Sequence, residues 1–169
     1  MCSSDLRIIG IDPGLATVGY AVVEAVRQNC KLLEYGCIRT TPSMQLPERL
    51  ELIYRSVEEI ITEFKPDEMA VEELFFCKNV TSAILVGQAR GAIILAGRLQ
   101  GLDLYEYTPM QIKQAVTGYG RADKKQMQEN IRMLFRLKEI PQPDDAADAI
   151  GIAFTHAMSH RFKKQFMMK

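Results

Sequence analysis

The apolar residues of this chain switch from an extended to a helical period near residue 45, and that change constrains the fold more than any other feature. Before it the pattern is extended. Leu6 to Ile11 is a short, mostly apolar run closed by the turn residues Asp12-Pro13-Gly14. Thr17 to Glu24 is rich in valine, and Lys31 to Thr41 is a third extended run. Short connections between these three predict antiparallel neighbours. After residue 45 the pattern is helical: Leu46, Leu50, Ile53, Val57, Ile60, Ile61 and Phe64 recur at helical spacing, and Pro66 stops the run. Glu68 to Leu74 reads as a fourth strand, Thr81 to Leu99 as a second long helix, and Leu102 to Tyr107 as a fifth strand. Beyond Thr108 the chain reads as helices over Met110 to Val116, Lys124 to Leu137 and Ala146 to about Arg161. The order predicts an α/β protein with a mixed five-stranded sheet, three antiparallel strands followed by two parallel ones, and helices on both faces.

No linker-like stretch divides the 169 residues, so a single domain over 1–169 is expected, with a loose basic tail after about residue 160. No uninterrupted apolar run reaches the ~18 residues of a membrane span. An aspartate precedes any signal-like apolar core, so neither a membrane location nor secretion is expected. Cys2, Cys30, Cys37 and Cys77 form no CxxC pair, which suits reduced thiols in the cytoplasm. The net charge is zero but unevenly built. Glu48 to Glu73 holds nine acidic and three basic residues, whereas Met110 to Lys138 holds seven basic and two acidic. Such runs are ordinarily solvated helix faces. They can also give a neutral chain a basic side that meets phosphate.

Four carboxylates stand where a folded chain seldom places them. Asp12 ends the apolar run Ile8-Ile9-Gly10-Ile11, in what should be the central strand. Glu72 closes Met69-Ala70-Val71. Asp145 and Asp148 are three apart at the start of an apolar helix, which puts them on one helix face. Each has a plain explanation taken alone. Aspartate before Pro-Gly is a turn former, a glutamate at a strand end can face solvent, and Asp144 and Asp145 suit a helix N-terminus. Asp148, flanked by Ala146, Ala147, Ala149, Ile150 and Ile152, is the hardest to explain that way, because a carboxylate in an apolar face needs a partner. One chemistry accounts for all four. Phosphodiester hydrolysis with two Mg²⁺ ions about 3.5–4 Å apart requires hard oxygen ligands, and Asp12 is placed to bridge them. Mn²⁺ is a possible substitute. No Cys/His pattern suggests zinc. His156 and His160 are one helix turn apart, but with no acidic or thiol partner nearby in sequence they read as surface or packed residues.

Ile9-Gly10-Ile11-Asp12-Pro13-Gly14, Thr17 to Val22, Gly36 to Thr40, Leu52 to Asp67, Val71 to Asn79, Gly87 to Gly91, Lys113 to Lys125 and Asp145 to Ala149 follow one another in an order and spacing that resembles the RuvC Holliday-junction resolvases. The resemblance runs over roughly residues 8 to 158. It implies a ribonuclease H-like fold and a metal-binding catalytic set of Asp12, Glu72, Asp145 and Asp148. It also implies a homodimer that nicks two strands of like polarity in four-way junction DNA, working with the RuvA and RuvB branch-migration proteins. By position, Phe75 matches an aromatic inserted among bases, and Lys113 and Lys124 match lysines near the scissile phosphate. Core packing for Phe75 and ordinary surface placement for the lysines are the plainer readings of the residues themselves. Arg121, in the glycine-rich stretch between the lysines, is a local candidate for DNA contact outside the resemblance. Asp144 adds a carboxylate beside Asp145, as a cap or an outer ligand. Another nuclease of the same fold, a binding module that does not cut, and an actin-like ATPase are the competing readings. The last lacks a second phosphate loop here.

Overall fold

The turn chemistry at Asp12-Pro13-Gly14 folds the chain back on itself. β1 (Leu6–Asp12) pairs antiparallel with β2 (Thr17–Val26), which pairs antiparallel with β3 (Asn29–Arg39). The structure is a computed structural model that describes residues 5–26, 29–74 and 79–169. α1 (Leu46–Phe64) starts where Glu48 accepts a hydrogen bond from the backbone N–H of Gln45 at 2.9 Å. It stops at Lys65, held in the left-handed region (φ 48°), because Pro66 disfavours a helical conformation in the residue before it. β4 (Glu68–Glu72) then lies parallel to β1, α2 (Val80–Leu99) crosses over, and β5 (Asp103–Tyr107) lies parallel to β4. The strand order is β3-β2-β1-β4-β5, so the mixed five-stranded sheet expected from periodicity is present. Boundaries shift by a few residues: β4 ends at Glu72 rather than Leu74, and β3 ends at Arg39 rather than Thr41.

α3 (Pro109–Thr117), α4 (Lys124–Leu134) and α5 (Asp144–Ser159) complete the chain's α-helices. α4 is shorter than its apolar pattern predicts, because Arg136 takes a left-handed conformation (φ 53°) just past its end. Helices cover both sheet faces. α1 and α2 bury Ile53, Val57, Ile61, Ala89, Ile93 and Ala96 against Ile9, Ile11, Val22, Met69 and Val71. The opposite face, bearing Ile8, Ala70, Tyr105 and Tyr107, meets α5 with α3 and α4 outside it. The acidic helix α1 and the basic segment α3–α4 therefore lie on opposite sides of the sheet, and the neutral total resolves into two charged sides.

α2 is long and apolar enough, by length and composition, to span a bilayer, although polar residues interrupt its apolar run. It packs on α1 by one face and buries Ala83, Ala89, Ile93, Ala96 and Gly97. One expectation needs correction: the basic tail after about residue 160, expected to be loose, is docked. His160–Phe166 form a 3-10 helix, Met167 bridges antiparallel to Tyr105, and the N–H of Met168 donates to the carbonyl of Leu104 at 2.9 Å. The tail thus covers the open edge of β5, whose backbone groups would otherwise be unpaired. A basic sequence rich in Met gives no periodic signal for such a contact.

Candidate active site

Alternation along a strand decides which way each side chain faces. Ile8 on β1 belongs to the cluster under α5, so Gly10 and Asp12 face the same way. Ala70 on β4 belongs to that cluster too, so Glu68 and Glu72 share its face. The parallel register sets Ile11 opposite Val71, which places Asp12 and Glu72, the last residues of neighbouring strands, side by side. On the other flank, Asp12 pairs with Gly19 of β2. A Cβ at Gly19 would lie 1.9 Å from the carbonyl oxygen of Asp145, so the bare backbone lets the first turn of α5 rest on the strand beside Asp12. Asp148 follows one turn later on α5. The fold thus brings all four carboxylates expected from the sequence to one end of the sheet.

Their electrostatics report the crowding. Burial lifts Asp12 to about 8, reinforced by the charges of Glu72, Asp148 and Asp145 and opposed by Lys124. Burial also lifts Glu72 to about 7; Asp148 adds to the rise, while a hydrogen bond with Asp12 and the charge of Lys113 oppose it. Asp148 rises to about 6 through burial, against the pull of Lys124. Burial and mutual repulsion favour the protonated carboxyls, and a bound cation would favour the ionised ones. Among the described residues, no three histidine, cysteine or acidic side chains already stand close enough together to hold an ion. The donor chemistry nonetheless fits a hard divalent cation: the set is all oxygen, and each member raises the cost of ionising the next.

Lys113 and Lys124 line a cleft of about 220 Å³ together with Glu72, Asp148, Ile112 and Met127, so the fold brings both lysines to the carboxylates. Lys124 Nζ lies 2.7 Å from Asp144 Oδ2, and Gln128 Nε2 donates to Asp144 Oδ1 at 2.8 Å. Asp144 is the first residue of α5 rather than its cap, which is Pro143, and it ties α4 to α5. Arg121 is exposed between α3 and α4 and does not line this cleft. Phe75 lies outside the described residues. On its other side Glu72 borders a second cavity of about 340 Å³, lined by Pro13, Leu74, Asn79, Ser82 and Arg90.

Two sets of contacts near the site escaped the sequence reading. Arg90, inside the apolar α2, donates to Glu106 Oε2 at 2.7 Å and to the backbone carbonyl of Glu72 at 3.3 Å, anchoring the end of β4. An arginine in the middle of an apolar helix is the signal that could have marked it. His156 is fully buried and bonded to Tyr107 and Glu68, partners far away in sequence that no local motif reveals.

Residues 8–156 match the family model described as crossover junction endodeoxyribonuclease RuvC. A relative of that name from Brevibacillus brevis is 55% identical over 157 residues, 93% of this chain and 95% of the relative. Among solved structures, RuvC of Thermus thermophilus superposes with a TM-score of 0.86 at 38% identity, covering 93% of this chain and 96% of that one. The same T. thermophilus protein in complex with Holliday junction substrate gives a TM-score of 0.84 at 36% identity, with the same coverage. On the family match, the identity and the shared ribonuclease H-like fold together, the chain belongs to the RuvC family of crossover junction endodeoxyribonucleases.

Proposed function

We propose that the chain is a structure-specific endonuclease that resolves four-way DNA junctions by cation-dependent nicking of two strands of like polarity. The observation that carries this reading is the set Asp12, Glu72, Asp145 and Asp148 gathered at one end of the sheet, two of which, Glu72 and Asp148, line a cleft with Lys113 and Lys124. Supporting it, a T. thermophilus family member has been solved with a Holliday junction. The four carboxylates would hold two Mg²⁺ ions, with Mn²⁺ as substitute. When bound, the ions supply Lewis acidity that offsets charge building on the phosphoryl oxygens. Lys113 and Lys124 give the cleft positive charge to seat the phosphate backbone. Lys124 is held by Asp144 and released to DNA when phosphate competes for its ammonium. Arg121 and Phe75 are the flanking contacts, the second by stacking on an unpaired base.

A homodimer fits this reading. Val80, Ile84, Leu95 and Leu99 of α2 are exposed. At 3.6 residues per turn they fall within about 100° of one another, a stripe that a second copy would cover. Two copies set two sites on one junction. RuvA and RuvB are the expected partners, in the cytoplasm where chromosomal junctions arise.

The test uses a synthetic immobile four-way junction and a linear duplex of the same sequence, each with Mg²⁺, with Mn²⁺ and with neither, beside the Asp145→Asn variant. Paired nicks in the junction alone, dependent on Mg²⁺ and lost in the variant, are expected. Equal cutting of both substrates discards junction specificity. Tight binding without cutting in either metal discards the nuclease.

A further inference from the structure

Where α5 crosses Gly10 and Gly19 its contact with the sheet is made of small residues, although Ile8, Tyr105 and Tyr107 also face the helix. A Cβ at Gly10 would lie 2.5 Å from the carbonyl oxygen of Ala149 and 2.6 Å from the N–H nitrogen of Ala153. Such a surface allows close approach, but alanines and glycines interlock little, so apolar packing alone sets the helix's distance from the sheet better than its position along its own axis. That position matters, because Asp145 and Asp148 ride on the first turns of α5.

Two turns further along, His156 supplies the directional contacts the small residues lack. Its ring is fully buried. Nε2 lies 2.6 Å from Glu68 Oε2, and Nδ1 lies 2.7 Å from the hydroxyl of Tyr107. An ionised Glu68 only accepts, so Nε2 carries the proton; in the neutral ring Nδ1 then accepts from Tyr107. The other oxygen of Glu68 accepts from Lys163 of the docked tail. The Tyr105 ring packs on the imidazole at a centroid distance of 4.4 Å, fixing its plane. Both strand partners belong to the site's own framework. Glu68 and Glu72 are the two ends of β4, and Tyr107 is the register partner of Glu72. A buried, satisfied chain of hydrogen bonds therefore runs from the strands that hold Glu72 to the helix that holds Asp145 and Asp148.

We propose that His156 is a positioning residue: through Tyr107 and Glu68 it sets α5 along the sheet so that Asp145 and Asp148 meet Asp12 and Glu72 in one cation-binding set, with Lys163 holding Glu68 in place. The inference rests on the nuclease reading above. It assigns His156 no contact with substrate or ion.

The experiment compares the wild-type protein with the His156→Phe and Tyr107→Phe variants. Mn²⁺ binding is measured by electron paramagnetic resonance without DNA, junction cutting is resolved into kcat and KM, and folding is followed by thermal melts. Loss of a residue hydrogen-bonded to a metal ligand typically weakens metal binding about 10–100-fold, and His156, one step further removed, is expected at the lower end of that range. The expected result is Mn²⁺ binding weakened by that order in His156→Phe and less in Tyr107→Phe, with kcat reduced and KM for the junction unchanged. If His156→Phe does not fold, Tyr107→Phe, which removes one hydroxyl, decides the matter. Folded variants that melt at lower temperature yet bind Mn²⁺ and turn over like the wild type overturn the proposal and leave His156 a purely structural residue. A wild-type protein that takes up no Mn²⁺ overturns the nuclease reading, and this inference with it.

Discussion

At the scale of single residues, the site is a place where stability has been given up. An acid whose folded pKa is raised holds more protons folded than unfolded, between its unfolded value near 4 and its folded value. Stability then falls as pH climbs through that window. Asp12, raised to about 8, and Glu72, raised to about 7, both behave this way in the cation-free protein. Asp12→Asn removes the ionisable group while keeping its shape. The variant is expected to melt above the wild type at pH 8 in EDTA, by about 2–4 °C for each kcal/mol relieved, and to match it more closely at pH 4. Mg²⁺ should raise the melting temperature of the wild type at pH 8 and do little for the variant. Melting curves at the two pH values, with and without Mg²⁺, check this; a variant less stable than the wild type at pH 8 in EDTA contradicts it. Asp12 was legible in the sequence because a strand that otherwise buries isoleucines ends in a charge. Its crowding by Glu72 was not, since register between β1 and β4 is set by the crossover that joins them and not by either strand alone.

At the scale of elements, α5 shows what sequence periodicity can and cannot convey. Its apolar run and the paired Asp145 and Asp148 predict a buried helix with an acidic start, and the structure has one. The closeness of its seating depends on Gly10 and Gly19, more than a hundred residues away. Gly10→Ala puts a methyl against the backbone of Ala149 and Ala153, which can yield only if the helix moves. Overpacking of this kind costs about 1–3 kcal/mol. The variant should fold with a lower melting temperature and lose cutting activity even well below that temperature, because α5 carries half of the carboxylate set. Cutting assays at 20–30 °C under that melting point test this, and unchanged kcat there would refute it. The Glu68 cluster makes the second prediction. Burial raises the Glu68 carboxyl, but hydrogen bonds from His156 and Lys163 outweigh it and hold it at about 2. A depressed acid contributes stability above its unfolded value of about 4.5, and that stability disappears as pH falls toward 2. Glu68→Gln should therefore be less stable than the wild type at neutral pH, by about 3 kcal/mol at most, with the difference shrinking below pH 4. Urea melts at pH 7 and pH 3 measure it. None of this cluster was readable in advance: Glu68 looks like any glutamate opening a strand, and His156 like any histidine late in a helix.

At the scale of the whole molecule, the sequence foretold the layers better than the surfaces. Period and connection length decide that strands β1 to β3 run antiparallel and that crossovers make β4 and β5 parallel, so the sheet was legible. Which helix faces are left uncovered depends on how helices share the sheet, and no periodicity states that. α2 is the case in point. It is apolar nearly all round, yet only the side carrying Ala83, Ala89, Ile93, Ala96 and Gly97 meets the fold. Leu95 and Leu99 remain 52% and 64% exposed, Val80 and Ile84 63% and 55%, an apolar stripe on one helix side of the kind that marks an interaction surface. If a second copy covers this stripe, a charge placed there must be buried in the dimer without a partner, or the dimer must open. Ile84→Glu combined with Leu95→Glu is expected to sediment as a monomer at concentrations where the wild type is a dimer. Both side chains point away from the core, so the melting temperature should change only as far as dimerisation itself stabilised the fold. The carboxylate set belongs to one chain, so the monomer keeps its Mn²⁺ affinity. What it should lose is simultaneity. On a supercoiled plasmid carrying a cruciform, a dimer linearises the substrate within one encounter, whereas a monomer leaves nicked circles that accumulate before any linear product appears. A double variant that still sediments as a dimer places the interface elsewhere. A true monomer that linearises the cruciform without a nicked intermediate would show that pairing of the cuts does not depend on joining two copies through α2.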